Sequence, residues 1–312
     1  MSSTNTKTLD HIVHLTPPGS VEATSEQFRN LGFNVVPGGT HADGLTANAL
    51  VASDLHSIQA GPFITLRCPF SLVQILADGV YLELISFTHP SSYYPPGSAE
   101  RKARDSHTWA SKAPGWIDFA FLGNGSLTTR ISDVINERAK RDGSGAVYSS
   151  ESAGGRRRPD GKVLKWVISA PSLVGSAPRG TLPFFCGDVT PRDWRVPTEP
   201  PSNTEHPSTT QGIAYIVILA PTQELQSISR QLTSVIGNPP VASTETEITW
   251  HLDALHAKHG PSLVLRSPSD RSETAFVREE GVGIFEVAFA VKDSRREGSD
   301  DTPYGKVIWV PA

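Results

Sequence analysis

Residues 9–15, Leu-Asp-His-Ile-Val-His-Leu, and residues 81–85, Tyr-Leu-Glu-Leu-Ile, are the two stretches that decide the fold. Each is a short apolar run that predicts a strand, with His11 inside the first and Glu83 at the centre of the second. If both strands belong to one curved sheet, these side chains point into one concave face. An imidazole and a carboxylate that converge there can hold a divalent metal with open positions for a substrate. The alternative is a half-buried strand histidine and a glutamate that faces water.

The composition narrows the class of protein. The chain has 312 residues, of which 38% are hydrophobic and 19% charged, which suits a globular protein of two domains or of repeated units. A net charge of −4 gives no basic field for nucleic acid, and no apolar run is long enough to cross a bilayer. Two cysteines form no disulfide framework and the N-terminus lacks a signal-peptide core, so we expect a cytoplasmic protein.

A strand–helix–strands unit occurs three times along the chain. The units cover residues 8–90, 115–190 and 212–312, and the proline-rich residues 191–211 predict a linker or strap between the second and third. When the units are aligned, His11, Asp118 and Tyr215 share a first-strand position, and Glu83 aligns with Glu286. The sequence therefore predicts an α+β protein built from repeated modules.

The sequence resembles the glyoxalase-like proteins of the vicinal oxygen chelate superfamily (the glyoxalase, bleomycin resistance and extradiol dioxygenase group), particularly fungal cytosolic members. The stretches that carry the resemblance are residues 9–15, 38–50 (GGTHADGLTANAL), 78–87 (DGVYLELISF), 156–161 (RRRPDG), 182–192 (LPFFCGDVTPR) and 206–213 (HPSTTQGI). The resemblance implies tandem βαβββ modules that form curved half-barrel sheets. It also implies a divalent metal (Fe, Mn, Mg, Ni or Zn) that chelates a small-molecule substrate.

Carried over to this chain, the resemblance makes His11 and Glu83 metal ligands and leaves Asp118 as the third. The second module departs from the pattern, because its first strand has Asp118 where His or Gln is expected and its last strand has no carboxylate before Asp188. A four-ligand site is therefore not supported. If a metal is bound, Glu83 or His41 is the candidate base for proton transfer.

Further residues are candidates for substrate binding. Thr46 and Asn48 lie in a polar, turn-rich segment near the expected sheet mouth. Arg157, in the Arg156–Arg158 run, would clamp an anionic group, although such a run is also typical of a solvated hairpin. Trp116 and Phe185 would line an apolar cup, although each, taken singly, is more typical of an ordinary core.

Residues 51–74 interrupt an otherwise continuous hairpin. Deleting them joins Leu50 to Ile75 and restores the glyoxalase-like pattern. Val51 and Gln74 are compatible with intron boundary codons, so we interpret the segment as an unspliced intron that has been translated. The alternative is a genuine surface loop, which folded proteins tolerate at low cost.

Two classes of function remain open. The first is a metal-assisted lyase, isomerase or dioxygenase that acts on a small oxygenated metabolite. The second is a metal-free binding or sequestering protein on the same fold. No P-loop or dinucleotide fingerprint occurs, so we expect no nucleotide cofactor. We further expect a monomer or homodimer without nucleic-acid or membrane partners.

Overall fold

The structure is a computed structural model that describes residues 4–37, 39–40, 45–48, 72–158, 160–172, 178–302 and 305–312. Its strands form two curled sheets, one after the other along the chain. We call the part that carries the first sheet half A and the part that carries the second half B. None of the helices in the described ranges is long and apolar enough to cross a membrane.

Half A contains ten strands in the order β2-β5-β6-β1-β7-β10-β9-β8, with the β3–β4 hairpin attached to β6. The strands are β1 (Leu9–Thr16), β2 (Val36–Pro37), β3 (Gly39–Thr40), β4 (Thr46–Asn48), β5 (Leu72–Ile75), β6 (Tyr81–Phe87), β7 (Gly115–Leu122), β8 (Ser152–Arg157), β9 (Val163–Ser169) and β10 (Phe184–Asp188). The helices are α1 (Val21–Asn30), α2 (Ala99–Ser106) and α3 (Ile131–Asp142). Strand β1 pairs in parallel with β6 and antiparallel with β7, which joins two modules edge to edge.

Half B repeats this plan with seven strands in the order β12-β13-β14-β11-β15-β17-β16. A short helix, α4 (Arg192–Arg195), precedes it. Its elements are β11 (Thr210–Leu219), α5 (Leu225–Ile236), β12 (Ala242–Ser243), β13 (Glu247–His251), β14 (Ser262–Arg266), α6 (Arg271–Glu280), β15 (Gly283–Val291), β16 (Gly298–Thr302) and β17 (Gly305–Pro311). The two curled sheets, one of them a half-barrel, confirm the predicted α+β class with βαβββ modules.

The sheet order of half B differs from the sequence alignment of the repeats. Strand β14 pairs in parallel with β11, as β6 does with β1, whereas β15 pairs antiparallel with β11, as β7 does with β1. Glu286 in β15 therefore corresponds to Asp118 and not to Glu83. Both β6 and β15 are apolar strands with a central carboxylate, so pattern alone does not distinguish them.

The hydrophobic core runs between the halves. A large cluster joins the convex faces of both sheets to their helices, and a second, smaller cluster lies on the concave face of half A. Asp78 links the halves, because its carboxylate accepts hydrogen bonds from the backbone N–H of Val80 and of Ile213. Helices α3 and α5 meet at the same junction.

The segment predicted as a linker packs closely against half A. We call residues 191–209 the strap. Within it Arg195, Asn203 and His206 are buried, and the ring of His206 bridges the backbone of Asn34 and Ile75. The strap therefore contributes to the structure of half A.

Candidate active site

The concave face of half A encloses a cavity of about 410 Å³. Strands β1, β6, β8, β9 and β10 form its wall, the residues that follow α2 close one side, and Arg195 of the strap reaches in from another. The volume is within the range of small-molecule sites in proteins. The polar groups in this wall decide what the cavity can do.

His11 and Asp10 meet in this wall although they are neighbours on one strand. Neighbours in a regular strand point to opposite faces, but the register between β1 and β7 shifts between Leu9 and His11. This bulge lets Nδ1 of His11 lie 2.7 Å from Oδ2 of Asp10. The His11 ring stacks on Tyr81 with 4.5 Å between centroids and meets the edge of Phe184, so its orientation is fixed.

Two arginines of the strap hold Asp10 in place. Nη1 of Arg192 lies 2.5 Å from Asp10 Oδ1, and Nη1 of Arg195 lies 3.0 Å from Asp10 Oδ2. Arg195 also binds Asp188 and donates a hydrogen bond to the hydroxyl oxygen of Tyr81. Burial by itself would raise the pKa of Asp10, but Arg195 and Arg192 hold it well below its usual range.

An ionised Asp10 sets the tautomer of His11. A carboxylate only accepts hydrogen bonds, so Nδ1 carries the proton and Nε2 is left towards the cavity. Nε2 lies 3.8 Å from Oε2 of Glu83, which is 7% exposed. The cavity wall thus presents an imidazole nitrogen and a carboxylate side by side, an arrangement suited to taking and returning a proton.

Asp118 is buried behind this pair and is fully engaged. Its Oδ2 accepts hydrogen bonds from Nε of Arg179 at 2.7 Å and from Nε1 of Trp109 at 2.9 Å. Its Oδ1 accepts one from the backbone N–H of Phe119 at 3.0 Å. Arg179 and Trp109 line the cavity, whereas Asp118 holds them from beneath.

The described residues do not fit a divalent metal. Members of the vicinal oxygen chelate superfamily commonly use one, but within the described ranges no group of three His, Cys, Asp or Glu side chains is placed to hold it. His11 and Glu83 supply two donors. The third predicted ligand, Asp118, forms an ion pair with Arg179. The module position that corresponds to Glu83 carries Phe184, which has no donor atom.

The other predicted residues have different environments. Thr46 is buried and lines the cavity. Asn48 belongs to β4, and His41 lies outside the described residues.

Three of the predicted substrate-binding residues lie away from the cavity. Arg157 is exposed and donates to the carbonyl of Gly161, and Phe185 is in the core against Tyr148. Trp116 packs at the junction of the halves and donates to the carbonyl of Lys306.

The cavity is instead lined by the residues next to two of the predicted ones on the same strands, and by a tryptophan from a different strand. Arg156 and Phe184 line it in place of Arg157 and Phe185, because alternate residues of a strand face opposite sides of the sheet. Trp166 supplies the indole expected from Trp116. The sequence signal that could have identified Phe184 is the alternation along β10, which places Phe184 and Cys186 on one face and Phe185 on the other.

The fold and the wall of this cavity define a protein of the vicinal oxygen chelate class. The chain belongs to the family described as glyoxalase-like domain, which it matches over residues 9–56 and 71–236. Residues 57–70, which fall outside the match, lie within the segment interpreted above as an insert. That segment's residues 51–71 lie outside the described residues, and residues 72–74 belong to β5.

Solved structures share the architecture at low sequence identity. A hypothetical protein from Staphylococcus aureus matches with a TM-score of 0.63 and 9% identity over 98% of this chain and 99% of that one. A mutant of 4-hydroxymandelate synthase from Streptomyces coelicolor matches with a TM-score of 0.48 and 13% identity, over 96% of this chain and 78% of that one. No protein of curated function matches the sequence.

Proposed function

We propose that this protein is an isomerase or lyase that moves a proton on a small oxygenated molecule, using His11 and Glu83 and no metal ion. The observation that supports this most directly is the orientation of His11, whose Nδ1 is held by the ionised Asp10 while Nε2 faces Glu83 across 3.8 Å. Histidine held by a buried carboxylate in this way is a common arrangement for general-base catalysis.

The chemistry follows from the positions of these groups. Nε2 of His11 takes a proton from a carbon next to a carbonyl, and the electron pair of the broken C–H bond moves onto the carbonyl oxygen. Asp10 stabilises the imidazolium, and Arg179, fixed by Asp118, offers N–H groups to the developing oxyanion. On an α-hydroxy carbonyl compound, return of the proton to the former carbonyl carbon, directly or through Glu83, completes an isomerisation as the hydroxyl proton passes to the oxyanion. Loss of a leaving group from the carbon beyond the deprotonated one instead completes an elimination.

A second candidate function is binding without turnover. The pairing of Asp118 with Arg179 removes a donor that a metal-dependent relative would need. The same cavity then serves to hold or sequester a small molecule. Both functions require ligand binding, and only the first requires proton exchange.

The experiment that separates them is proton exchange in D₂O. The protein is incubated with a panel of 2-oxo and 2-hydroxy carboxylic acids, and deuterium incorporation is followed by NMR at C3 of the oxo acids and at C2 of the hydroxy acids, the carbons next to a carbonyl group. We expect the parent to accelerate exchange for at least one member, with and without EDTA. We expect His11→Asn to lower the rate about 100-fold or more and Glu83→Gln to lower it by less, because His11 takes the proton and Glu83 assists its return.

Arg157→Gln is the matched control, because Arg157 lies outside the cavity and should keep the parent rate. Exchange that disappears with EDTA and returns with added metal would contradict the metal-independent proposal. Binding without exchange across the panel would favour the second candidate. Circular dichroism of each variant excludes unfolding as the cause of a lost rate.

A further inference from the structure

Arg156 differs from the two arginines that follow it. Arg157 donates to the carbonyl of Gly161, and Arg158 pairs with Asp160 and donates to the carbonyl of Trp194. Arg156 is only 6% exposed, and within the part of the chain that the structure describes it makes no hydrogen bond or ion pair. Arg156 lines the cavity, in whose wall Glu83 also lies.

A largely buried guanidinium that no hydrogen bond holds is costly. Burial lowers the pKa of Arg156 and the field of Glu83 raises it, but an arginine remains charged at any ordinary pH. Charges taken out of water are normally retained only when an opposite charge or several hydrogen bonds compensate them. The other cavity arginines satisfy this rule, since Arg179 holds Asp118 and Arg195 holds Asp10 and Asp188.

The net charge of the site limits the partner that Arg156 can take. Arg179 is paired with Asp118, and Arg192 and Arg195 are paired with Asp10 and Asp188. Glu83 is the acidic side chain of the cavity wall whose field acts on Arg156. Because Glu83 already places one negative charge beside the ligand, a monoanion is accommodated more easily than a phosphate dianion. The site therefore favours a carboxylate, whose planar oxygens also match a guanidinium bidentately.

The remainder of the wall is aromatic. Trp109, Trp166 and Phe184 line the cavity. Trp166 lies close against β8 because its cross-strand partner is Gly154, where an added Cβ would come within 2.4 Å of the indole Nε1. Flat apolar walls of this kind favour an aromatic or conjugated ligand.

We infer that Arg156 binds the carboxylate of a small aromatic or conjugated monocarboxylic acid whose apolar body lies among Trp109, Trp166 and Phe184. The inference gives the substrate class of the proposed enzyme. Its statement about the reaction rests on the proposed function, whereas its statement about binding does not, because binding is measured without turnover. The carboxylate on Arg156 anchors the molecule in the cavity whose wall also presents His11 and Glu83.

Three pairs of probes test the inference. Benzoate, phenylacetate and cinnamate are each compared with the corresponding carboxamide by isothermal titration, on the parent, Arg156→Gln and Arg157→Gln. A charge-assisted hydrogen bond contributes enough to give the acid a preference of about tenfold or more over its amide. We expect this preference in the parent and in Arg157→Gln, and its loss in Arg156→Gln.

Each contrary result has one meaning. A preference that survives in Arg156→Gln, or no saturable binding of any of the three acids to the parent, would overturn the inference. Inorganic phosphate that binds through Arg156 more tightly than the acids would overturn the monocarboxylate class. His11→Asn should still bind the acids, so acid binding without proton exchange would overturn the proposed function and leave this inference standing.

Discussion

Half A and half B share the order of seven strands, but they differ at the positions that face the concave side of each sheet. The pairing registers of the two sheets make four positions equivalent. In half A they are His11, Glu83, Asp118 and Phe184, and in half B Tyr215, Val264, Glu286 and Ile308. Half B thus keeps one carboxylate of the set and loses the imidazole.

The backbone that creates the His11–Asp10 contact is present in both halves. Half B has a register shift between Ile213 and Tyr215, as half A has between Leu9 and His11, but Ala214 occupies the position of Asp10. Burial, together with a hydrogen bond to Glu286, raises the pKa of Tyr215 to about 12. The fold therefore supplies the geometry twice, and only the side chains of half A, with the strap, make it a candidate active site.

We expect the largest loss of folding stability from Arg195→Leu, which tests whether half A depends on its charged network. The substitution removes a buried cation from Asp10 and Asp188, and breaking a buried pair of this kind costs about 3–5 kcal/mol. Arg266→Leu in half B removes a partly exposed cation from Glu273, which keeps its hydrogen bonds from Ser269, and should cost less, about 2 kcal/mol. Urea unfolding measures both, and equal losses would show that half A has no special dependence on its charged network.

The next effect concerns Asp78, which joins the halves. Burial raises its pKa from 3.8 to about 6, despite hydrogen bonds from Val80 and Ile213. Because the folded pKa is above the unfolded one, this group destabilises the fold at neutral pH, and stability is gained as the pH falls through 6 towards 3.8. The total is about 3 kcal/mol, of which about 1 kcal/mol appears between pH 7 and pH 5.

The measurement compares the parent with Asp78→Asn, which does not titrate. We expect the parent to become more stable relative to the variant as the pH falls from 7 to 5. A difference in the free energy of unfolding that is flat over this range would mean that Asp78 titrates normally in the folded protein. Asp78 would then make no contribution to the pH dependence of the free energy of unfolding.

The sequence predicted the fold because the fold depends on local patterns. Apolar runs of strand length, one helix between the first and second strands of a module, and turns with glycine are visible without any contact information. His11 and Glu83 were found in the same way, since each is a polar residue inside an apolar strand. The cavity contains both.

What the sequence could not provide was the face of each strand and the contacts between distant segments. Arg156 and Arg157 are adjacent and chemically identical, and only the pairing of β8 with β9 shows which one enters the cavity. Arg195 lies 185 positions from Asp10, in a proline-rich segment whose composition favours a linker. Glu286 was aligned with Glu83 because both lie at the centre of an apolar strand. The sequence does not show that β6 is the parallel neighbour of β1 whereas β15 is the antiparallel neighbour of β11.

Gly154→Ala tests the aromatic wall of the cavity in half A. The added Cβ would come within 2.4 Å of Trp166 Nε1, so the indole must move into the cavity, at a cost of about 2 kcal/mol. Gly283→Ala is the control in half B, where the added Cβ comes no nearer than 3.6 Å to Phe276. Urea unfolding and benzoate titration should both change for Gly154→Ala alone, and an unaltered Gly154→Ala protein would contradict close packing of Trp166.

The smallest effect is expected at His206, where the strap contacts half A. Nδ1 of His206 accepts a hydrogen bond from the backbone N–H of Asn34, and Nε2–H donates to the carbonyl of Ile75. Burial lowers the pKa of His206, so its stabilisation is present above the unfolded pKa and is lost as the pH falls through the folded one. At pH 7, His206→Gln should cost about 1 kcal/mol, the usual contribution of one buried hydrogen bond.

The direction of its pH dependence is opposite to that of Asp78, although both groups hold half A to the chain that follows it. Between pH 7 and 5 the parent should lose stability relative to His206→Gln, while it gains stability relative to Asp78→Asn. Urea titrations of the three proteins at each pH separate the two contributions by sign. The same sign for both variants would mean that a shared change at the junction, and not the individual protonation of these side chains, controls how firmly the halves are joined.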